Sequence, residues 1–196
     1  MAYIEKTAFE ARITNNEFND LCNVTGMYQA SSANADCSAG LLVKRNGQLP
    51  CEGFSGIYNE NAWYMNAAES TDTADTVIYA CNTYDTQLLT GRDNHYFIGY
   101  QTLGLGVPAG RYGTFTRIDF DGQSVYRFGE GNIDGSLSTN TYLTIDDGLL
   151  KPAASAPTTT GAVYFELRGT GNFIEGTSDS FGYIDVVACK VSTVAG

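Results

Sequence analysis

Two strand-like runs, Thr114-Phe-Thr-Arg-Ile-Asp-Phe120 and Gln123-Ser-Val-Tyr-Arg-Phe128, flank the dipeptide Asp121-Gly122. Asp-Gly favours the two-residue turns of β-hairpins, because both turn positions need a positive φ. A turn here would form the cross-strand pairs Phe120–Gln123, Ile118–Val125 and Phe115–Phe128. One face would then carry Ile118, Phe120 and Val125, and the other Phe115, Tyr126 and Phe128. The sequence therefore predicts a hairpin that is covered on both faces, by a second sheet or by a neighbouring subunit.

The same kind of turn signal occurs earlier, where Leu41-Leu-Val-Lys-Arg45 precedes Asn46-Gly47. Asn-Gly is typical of a type I′ turn, so we predict a second hairpin here, with Pro50 shortening its return strand. The runs Trp63–Met65 and Thr76–Ala80 are further strand candidates, separated by a polar stretch.

The C-terminal part continues the strand pattern. The run Tyr142–Ile145 leads into Asp146-Asp147-Gly148, and Lys151–Thr160 is a loop rich in Pro, Ala and Thr. Apolar residues at 163, 165 and 167 alternate with polar or aromatic ones, which indicates a half-buried strand. Phe181–Val191 is apolar on both faces, as expected of a central strand. The fold class is therefore all-β, a barrel or sandwich with long loops.

The N-terminal residues 1–30 differ from this pattern and are predicted to form an arm with a short helix. Thr14 and Glu17 have the spacing of a capping box, and Gly26 is placed to end the helix. Its apolar face would carry Phe18, Leu21 and Cys22. Residues 31–196 then form a single β domain.

Composition limits the partners of the chain. The 196 residues carry a formal net charge of −11, and only 17% of them are charged. An acidic field of this size repels nucleic-acid phosphates and anionic lipid surfaces. We therefore expect neither nucleic acid nor membrane as a partner. The start Met1–Lys6 lacks the features of a secretory signal, so synthesis in a host cytoplasm is expected.

The cysteines do not form a metal-binding pattern. There are five, at positions 22, 37, 51, 81 and 189, with no C-x-x-C and with one histidine in the whole chain. This argues against zinc and favours free thiols that act as small apolar residues. The alternative is one or two disulfides, such as Cys22–Cys37 or Cys37–Cys51.

No candidate catalytic motif is complete. The fragment Gly53-Phe-Ser55-Gly56 has its second glycine one position early for a nucleophile elbow, and His95 lies in a polar, loop-like stretch. Asp134, Asp146 and Asp147 could supply oxygen ligands for calcium, but aspartates are common in turns. Trp63 and the 13 tyrosines suit a sugar platform, a core or an interface. We expect no enzyme activity, no metal and no organic cofactor.

Three segments resemble a known class of proteins. They are Ala39-Gly-Leu-Leu-Val43 with Asn46-Gly47, then Val107-Pro-Ala-Gly110, then Asp146-Asp-Gly-Leu-Leu-Lys-Pro-Ala153. With an N-terminal arm and low charge, they resemble capsid decoration (cement) proteins, the small β-rich auxiliary head proteins of tailed bacteriophages. The resemblance implies a virion structural protein that forms homo-oligomers seated on a lattice of major capsid protein. It implies no functional residue.

Apolar residues near the N-terminus are the predicted contact. They are Tyr3, Ile4, Phe9 and Phe18. Order near a terminus usually requires something to dock against, so deleting the first 13 residues is expected to abolish assembly or capsid binding and to leave the β domain folded. The alternative is that the segment folds back onto its own domain. Two other functions stay open: a receptor- or glycan-binding module of a fibre or adhesin, and a hydrolase built from scattered acids.

Overall fold

The computed structural model of the chain describes residues 7–13, 23–51, 56–82, 106–137, 141–172 and 182–192. These residues are almost entirely strands and their connections, and the one helical turn among them is the 3-10 helix Glu130–Asn132. The strands are β1 (Phe9–Ile13), β2 (Asn23–Ala30), β3 (Ala33–Asn34), β4 (Leu42–Pro50), β5 (Tyr58–Ala67), β6 (Ile78–Cys81), β7 (Gly113–Arg117), β8 (Val125–Gly129), β9 (Tyr142–Asp146), β10 (Leu149–Ala153), β11 (Val163–Asn172) and β12 (Gly182–Lys190). The predicted all-β class is confirmed.

Six strands form an open sheet in the order β1-β8-β12-β11-β9-β10. All its neighbouring strands are antiparallel. The apolar strand predicted at Phe181–Val191 corresponds to β12, which is third of the six and therefore central. The alternation predicted from Val163 is also present, since Val163 and Phe165 are buried in β11.

The other six strands form a sheet that closes on itself. Its order is β3-β2-β5-β4-β6-β7, and β2 pairs with β7 as well as with β5. The ring β2-β5-β4-β6-β7 is thus a five-stranded barrel, with the two-residue β3 extending one edge of β2. The pairing of β2 with β5 is parallel, whereas the other pairings in the ring are antiparallel.

Two hydrophobic cores result from this arrangement. The inter-sheet core lies between the barrel and the open sheet, and its large side chains include Phe9, Leu42, Ile78, Tyr126, Phe128, Leu143 and Phe165. The barrel core lies inside the ring and consists of Tyr28, Cys37, Val43, Met65, Tyr79, Cys81, Val107 and Phe115, with partly buried residues around them. Successive strand residues point to opposite faces, so β4 and β6 contribute to both cores.

The interior of the barrel is narrow, and Gly26 shows how narrow. A Cβ atom at this position would lie 2.5 Å from Cγ of Met65 and 3.0 Å from the ring of Phe115. Gly26 lies inside β2 and does not end a helix, so that part of the prediction is wrong. The reason is that close packing in the barrel, and not a helix terminus, requires a residue without a side chain here. Residues 14–22, with Phe18, Leu21 and Cys22, lie outside the described residues.

The hairpin predicted for residues 114–128 is wrong. β7 belongs to the barrel and β8 to the open sheet, so Phe115 lies in the barrel core and Phe128 in the inter-sheet core. Asp121-Gly122 does form a turn, with Gly122 at φ 76°. The turn carries the chain from one sheet to the other. Each apolar face predicted for the hairpin is covered by the chain itself.

The prediction of a hairpin at Asn46-Gly47 is also wrong, because both residues lie inside the single strand β4, which extends from Leu42 to Pro50. The pairing with β5 shifts register between Arg45 and Gln48, and Gly47 has φ 101°. Asn46-Gly47 is therefore a bulge within one strand, where an exposed glycine accepts the strained backbone. The loop predicted from Lys151 begins later, since β10 extends to Ala153.

The N-terminal strand is part of the fold. β1 pairs with β8, and the ring of Phe9 contacts those of Tyr126 and Phe128 at centroid distances of 6.0 and 5.4 Å. Phe9 is 1% exposed. Buried Asn132 joins the strand to the rest, because its Oδ1 accepts the N–H of Ala8 and its Nδ2 donates to the carbonyl of Ala39. Residues 7–13 thus pack against their own domain. This is the alternative in which the segment folds back and does not contact another subunit.

Candidate functional site

A groove of about 420 Å³ lies on the outer surface of the barrel, across the parallel strands β2 and β5. Its lining residues are Thr25, Pro50, Cys51, Asn59, Ala62 and Tyr112. Thr25 faces outward because its neighbour Val24 packs against the barrel core. The parallel register places Thr25 opposite Ala62, which brings residues distant in sequence to one surface.

The connection between β4 and β5 forms one end of the groove. Pro50 ends β4 and is opposite Tyr58 in the ladder. The N–H of Cys51 donates to the carbonyl of Ile57 at 2.8 Å, which holds the two ends of the connection together. This bond continues the pairing of the two strands one residue beyond Pro50. The side chains of Ile57 and Tyr58, on the other side of the connection, are exposed.

Three large side chains at this end of the barrel are mostly exposed, and we call them the apolar rim: Ile57 (53% exposed), Tyr58 (56%) and Tyr112 (56%). Tyr112 follows a tight turn, in which the N–H of Arg111 donates to the carbonyl of Pro108 at 3.0 Å. Asp36 anchors that turn, since its carboxylate accepts the N–H of Ala109 at 2.7 Å. The rim is thus an exposed apolar surface on a fixed backbone.

The groove itself is uncharged. Its polar side chains are the hydroxyl of Thr25 and the amide of Asn59, whose Oδ1 accepts the N–H of Asn61 at 3.1 Å. Aromatic rings beside hydroxyl and amide groups suit contact with another protein or with a sugar. The sequence interpretation missed Thr25, Asn59 and Tyr112. The usable signal was the Pro-Ala-Gly turn at 108–110, which places the following aromatic residue on the surface.

A second groove, of about 310 Å³, lies at the end of β11 and β12. Its side chains are engaged in the fold. Tyr183 lies under the guanidinium of Arg127 at 3.6 Å, and Arg127 binds Asp185 through two nitrogens at 2.7 and 2.8 Å. The hydrogen bond to Asp185 raises the pKa of Arg127. Glu130 accepts the N–H of Gly182 at 2.9 Å. These contacts hold β12 in register with β8 and join it to the 3-10 helix that follows β8.

Trp63 is not available as a sugar platform. The guanidinium of Arg45 lies 4.4 Å from the centre of the Trp63 ring and 5.1 Å from that of Tyr79. The two rings and Arg45 form a cation–π cluster at the barrel. Because a cation already covers Trp63, the alternative that used it as a glycan platform is not supported by its position.

Of the four predicted contact residues, the structure describes Phe9 alone. Phe9 is buried in the inter-sheet core, so it is not a surface residue of this chain. Tyr3, Ile4 and Phe18 lie outside the described residues, and their role stays a prediction. Residues 52–55 and His95 also lie outside the described residues, so the predicted fragment Gly53–Gly56 is described only at Gly56.

The three acidic residues considered for calcium lie around the hairpin of β9 and β10. Asp146 pairs with Lys151, and the N–H of Asp134 donates to the carbonyl of Leu150. Asp147 lies in the turn between β9 and β10 with φ 47°. Within the described part of the chain, no group of three or more His, Cys, Asp or Glu side chains is placed to hold a metal ion.

The cysteines that the structure describes, Cys37, Cys51, Cys81 and Cys189, are free thiols. The alternative disulfide Cys37–Cys51 is therefore not formed, and Cys22 lies outside the described residues. Cys189 is mostly buried on β12, and burial raises the pKa of its thiol. Such thiols act as small apolar side chains.

The chain was compared with known families, proteins and structures. No protein-family model matches the chain, and searches of curated proteins and of solved structures find no similar protein. Among the described residues, no helix has the length and apolar character needed to span a bilayer.

Proposed function

We propose that this chain is a virion structural protein of the capsid decoration type, which binds the head lattice through the apolar rim. One observation carries the proposal: Ile57, Tyr58 and Tyr112 are each more than half exposed, and Tyr112 lines the groove together with Pro50 and Cys51. Clustered apolar and tyrosine side chains on a surface are typical of protein contacts. The sequence resemblance to decoration proteins names the partner, a major capsid protein.

The charge distribution supports this docking surface. The chain carries a net charge of −11, yet no residue of the rim or of the groove lining is charged. Contact with these side chains themselves desolvates no ionised group, and the burial of such a group is costly. Copies of an acidic chain repel each other, so contact with a lattice is favoured over free self-association. Homo-oligomers would form between copies that the lattice holds together.

Binding to isolated capsids tests the proposal. We expect Tyr58→Ala with Tyr112→Ala to weaken binding at least tenfold, because exposed tyrosines are frequent contact hot spots. Val77→Ala is the matched control, since Val77 is 42% exposed at a different place on the surface. All variants should unfold at the same urea concentration. Unchanged occupancy of the double variant on particles would refute docking through the rim.

A second candidate is a glycan-binding module that uses the same groove. It is favoured by Tyr112 beside the hydroxyl of Thr25 and the amide of Asn59, and by a volume within the range of small-molecule sites. Thr25→Val with Asn59→Ala separates the two functions. Loss of binding on a glycan array would support the sugar function, whereas normal glycan-independent binding to capsids would support the decoration function.

A further inference from the structure

Two cysteine side chains meet inside the barrel. Cys37 is 1% exposed and Cys81 is 0% exposed, and both belong to the barrel core. Sγ of Cys81 lies 3.9 Å from the carbonyl oxygen of Cys37. Cys81 is the last residue of β6, and Cys37 lies on the segment between β3 and β4. The two thiols are therefore neighbours in space although far apart in sequence.

Backbone hydrogen bonds fix both cysteines. Cys37 and Val107 exchange two N–H to carbonyl bonds, of 2.8 and 2.7 Å. On the other side, the carbonyl of Cys81 accepts the N–H of Gly40 at 2.8 Å, and its N–H donates to Leu41 at 3.0 Å. The Cys37–Val107 bridge is packed so closely that a Cβ at Gly106 would lie 1.6 Å from the Cys37 carbonyl oxygen. This bridge and β6 thus hold the thiols at a fixed place.

The reduced pair is protected while the barrel is closed. The hydrogen bond with the Cys81 thiol and burial raise the pKa of the Cys37 thiol well above its ordinary value. Only a thiolate attacks a disulfide, so the closed state reacts slowly. Because both thiols are buried, their oxidation requires a local opening of the barrel.

We propose that Cys37 and Cys81 form a site of reversible oxidation, at which a small disulfide such as oxidised glutathione converts the two thiols into one disulfide. The thiolate of one cysteine attacks a sulfur of oxidised glutathione and releases one glutathione thiolate. The second cysteine then displaces the bound glutathione and completes the protein disulfide. Two electrons and two protons pass to the two glutathione molecules. The disulfide links the segment that contains Cys37 to β6. It also prevents the two hydrogen bonds between Cys37 and Val107 from opening.

Mapping of disulfides in the full chain tests the proposal. After incubation with oxidised glutathione, we expect a peptide that joins Cys37 to Cys81, detected by mass spectrometry without reduction, and two fewer titratable thiols. The bond constrains a long loop in the unfolded chain, so Tm should rise by roughly 8–15 °C and return on reduction. A mixed disulfide alone, or a bond from either cysteine to another position, would overturn the proposal, and so would an unchanged Tm.

Two serine variants sharpen this result. Cys81→Ser should abolish both the joined peptide and the rise in Tm. Cys189→Ser removes a buried thiol elsewhere and should leave both unchanged. If Cys81→Ser does not fold, the peptide map of the unchanged chain still decides the matter.

Discussion

The barrel encloses its own core, whereas the open sheet needs a covering layer, and β4 and β6 serve both. In β6, Ile78 and Ala80 point to the open sheet, and Tyr79 and Cys81 point into the barrel. The open sheet thus depends on the outer face of the barrel. The barrel closes through hydrogen bonds between β2 and β7. One strand can therefore stabilise two layers when both of its faces are apolar.

The two cores also differ in composition. The inter-sheet core contains a set of phenylalanine rings, among them Phe128 and Phe165 at a centroid distance of 5.9 Å. The barrel core is smaller and contains Met65, two cysteines and two tyrosines around Gly26. Because the inter-sheet core buries more large side chains, damage to it should destabilise the protein more.

The largest effect is expected from removing β1. Deletion of residues 1–13 removes buried Ala8, takes Phe9 out of the inter-sheet core and leaves β8 without one of its partners. We expect a loss of more than about 5 kcal/mol in the free energy of unfolding, enough to prevent cooperative folding. This replaces the expectation from the sequence that the β domain would stay folded, because β1 is part of that domain. Circular dichroism during urea titration measures it.

Deletion of residues 1–6 is the matched control, and it should leave the fold intact. This shorter deletion also tests the predicted contact at Tyr3 and Ile4, through its binding to capsids. A cooperative transition in the 1–13 deletion, at the urea concentration of the full chain, would show that β1 is dispensable.

Single substitutions compare the two cores directly. Phe165→Ala should cost about 3–5 kcal/mol, because Phe165 is fully buried and contacts the rings of Phe120 and Phe128. Met65→Ala in the barrel should cost about 2–4 kcal/mol. Urea unfolding of both variants gives the difference. A larger loss for Met65→Ala would reverse the ranking of the two cores.

Asn132→Ala tests the polar link between the layers. The substitution leaves the N–H of Ala8 and the carbonyl of Ala39 without their bonds to a buried side chain. Since unsatisfied buried groups are costly, we expect a loss of about 2–4 kcal/mol in the free energy of unfolding. Gln29→Ala is the control, because its bond to Asn34 is exposed. Equal stability of the two variants would exclude this role for Asn132.

The smallest effect concerns the turn that links the sheets. Burial alone would raise the pKa of Asp121, but hydrogen bonds from Ser124 and Gln123 outweigh it and lower the pKa. A lowered pKa in the folded state means that the ionised carboxylate stabilises the fold above pH 4 and that this stabilisation is lost as pH falls further. Asp121→Asn should cost about 0.5–1 kcal/mol at pH 6, since the group is largely solvated.

Unfolding at pH 6 and pH 3 checks this prediction. The difference between Asp121→Asn and the unchanged chain should shrink at the lower pH. Asp75→Asn, at an exposed position, should behave like the unchanged chain at both pH values. A difference that is independent of pH would mean that the charge of Asp121 plays no part.

The all-β class was predictable from the sequence, but the pairing of strands was not. The chain has four Asx-Gly dipeptides, and all four glycines have positive φ, but of the Asx residues only Asp147 has positive φ as well. Asp147-Gly148 closes the hairpin of β9 and β10, Asp121-Gly122 carries the chain between sheets, and Asn46-Gly47 is a bulge. An Asx-Gly dipeptide favours a positive φ at its glycine, whereas the burial of distant side chains decides which strands pair.

The candidate site could not be predicted from the sequence because it also depends on which strands pair. Thr25 and Ala62 become neighbours through a parallel pairing, which no local signal specifies. Tyr112 was one of many tyrosines in the sequence, and only the turn anchored by Asp36 places its ring beside the groove. By contrast, the central position of β12 followed from its apolar character on both faces.

The pairing of Phe9 with Phe128 has a consequence for synthesis on the ribosome. The strands of the barrel lie between Asn23 and Arg117, so they emerge before β8. During translation, β1 has therefore left the exit tunnel long before its partner exists, while the barrel strands already have theirs. The nascent chain is expected to form its barrel first, and β1 is expected to stay unpaired until β8 has been synthesised. That waiting strand is where a chaperone would bind.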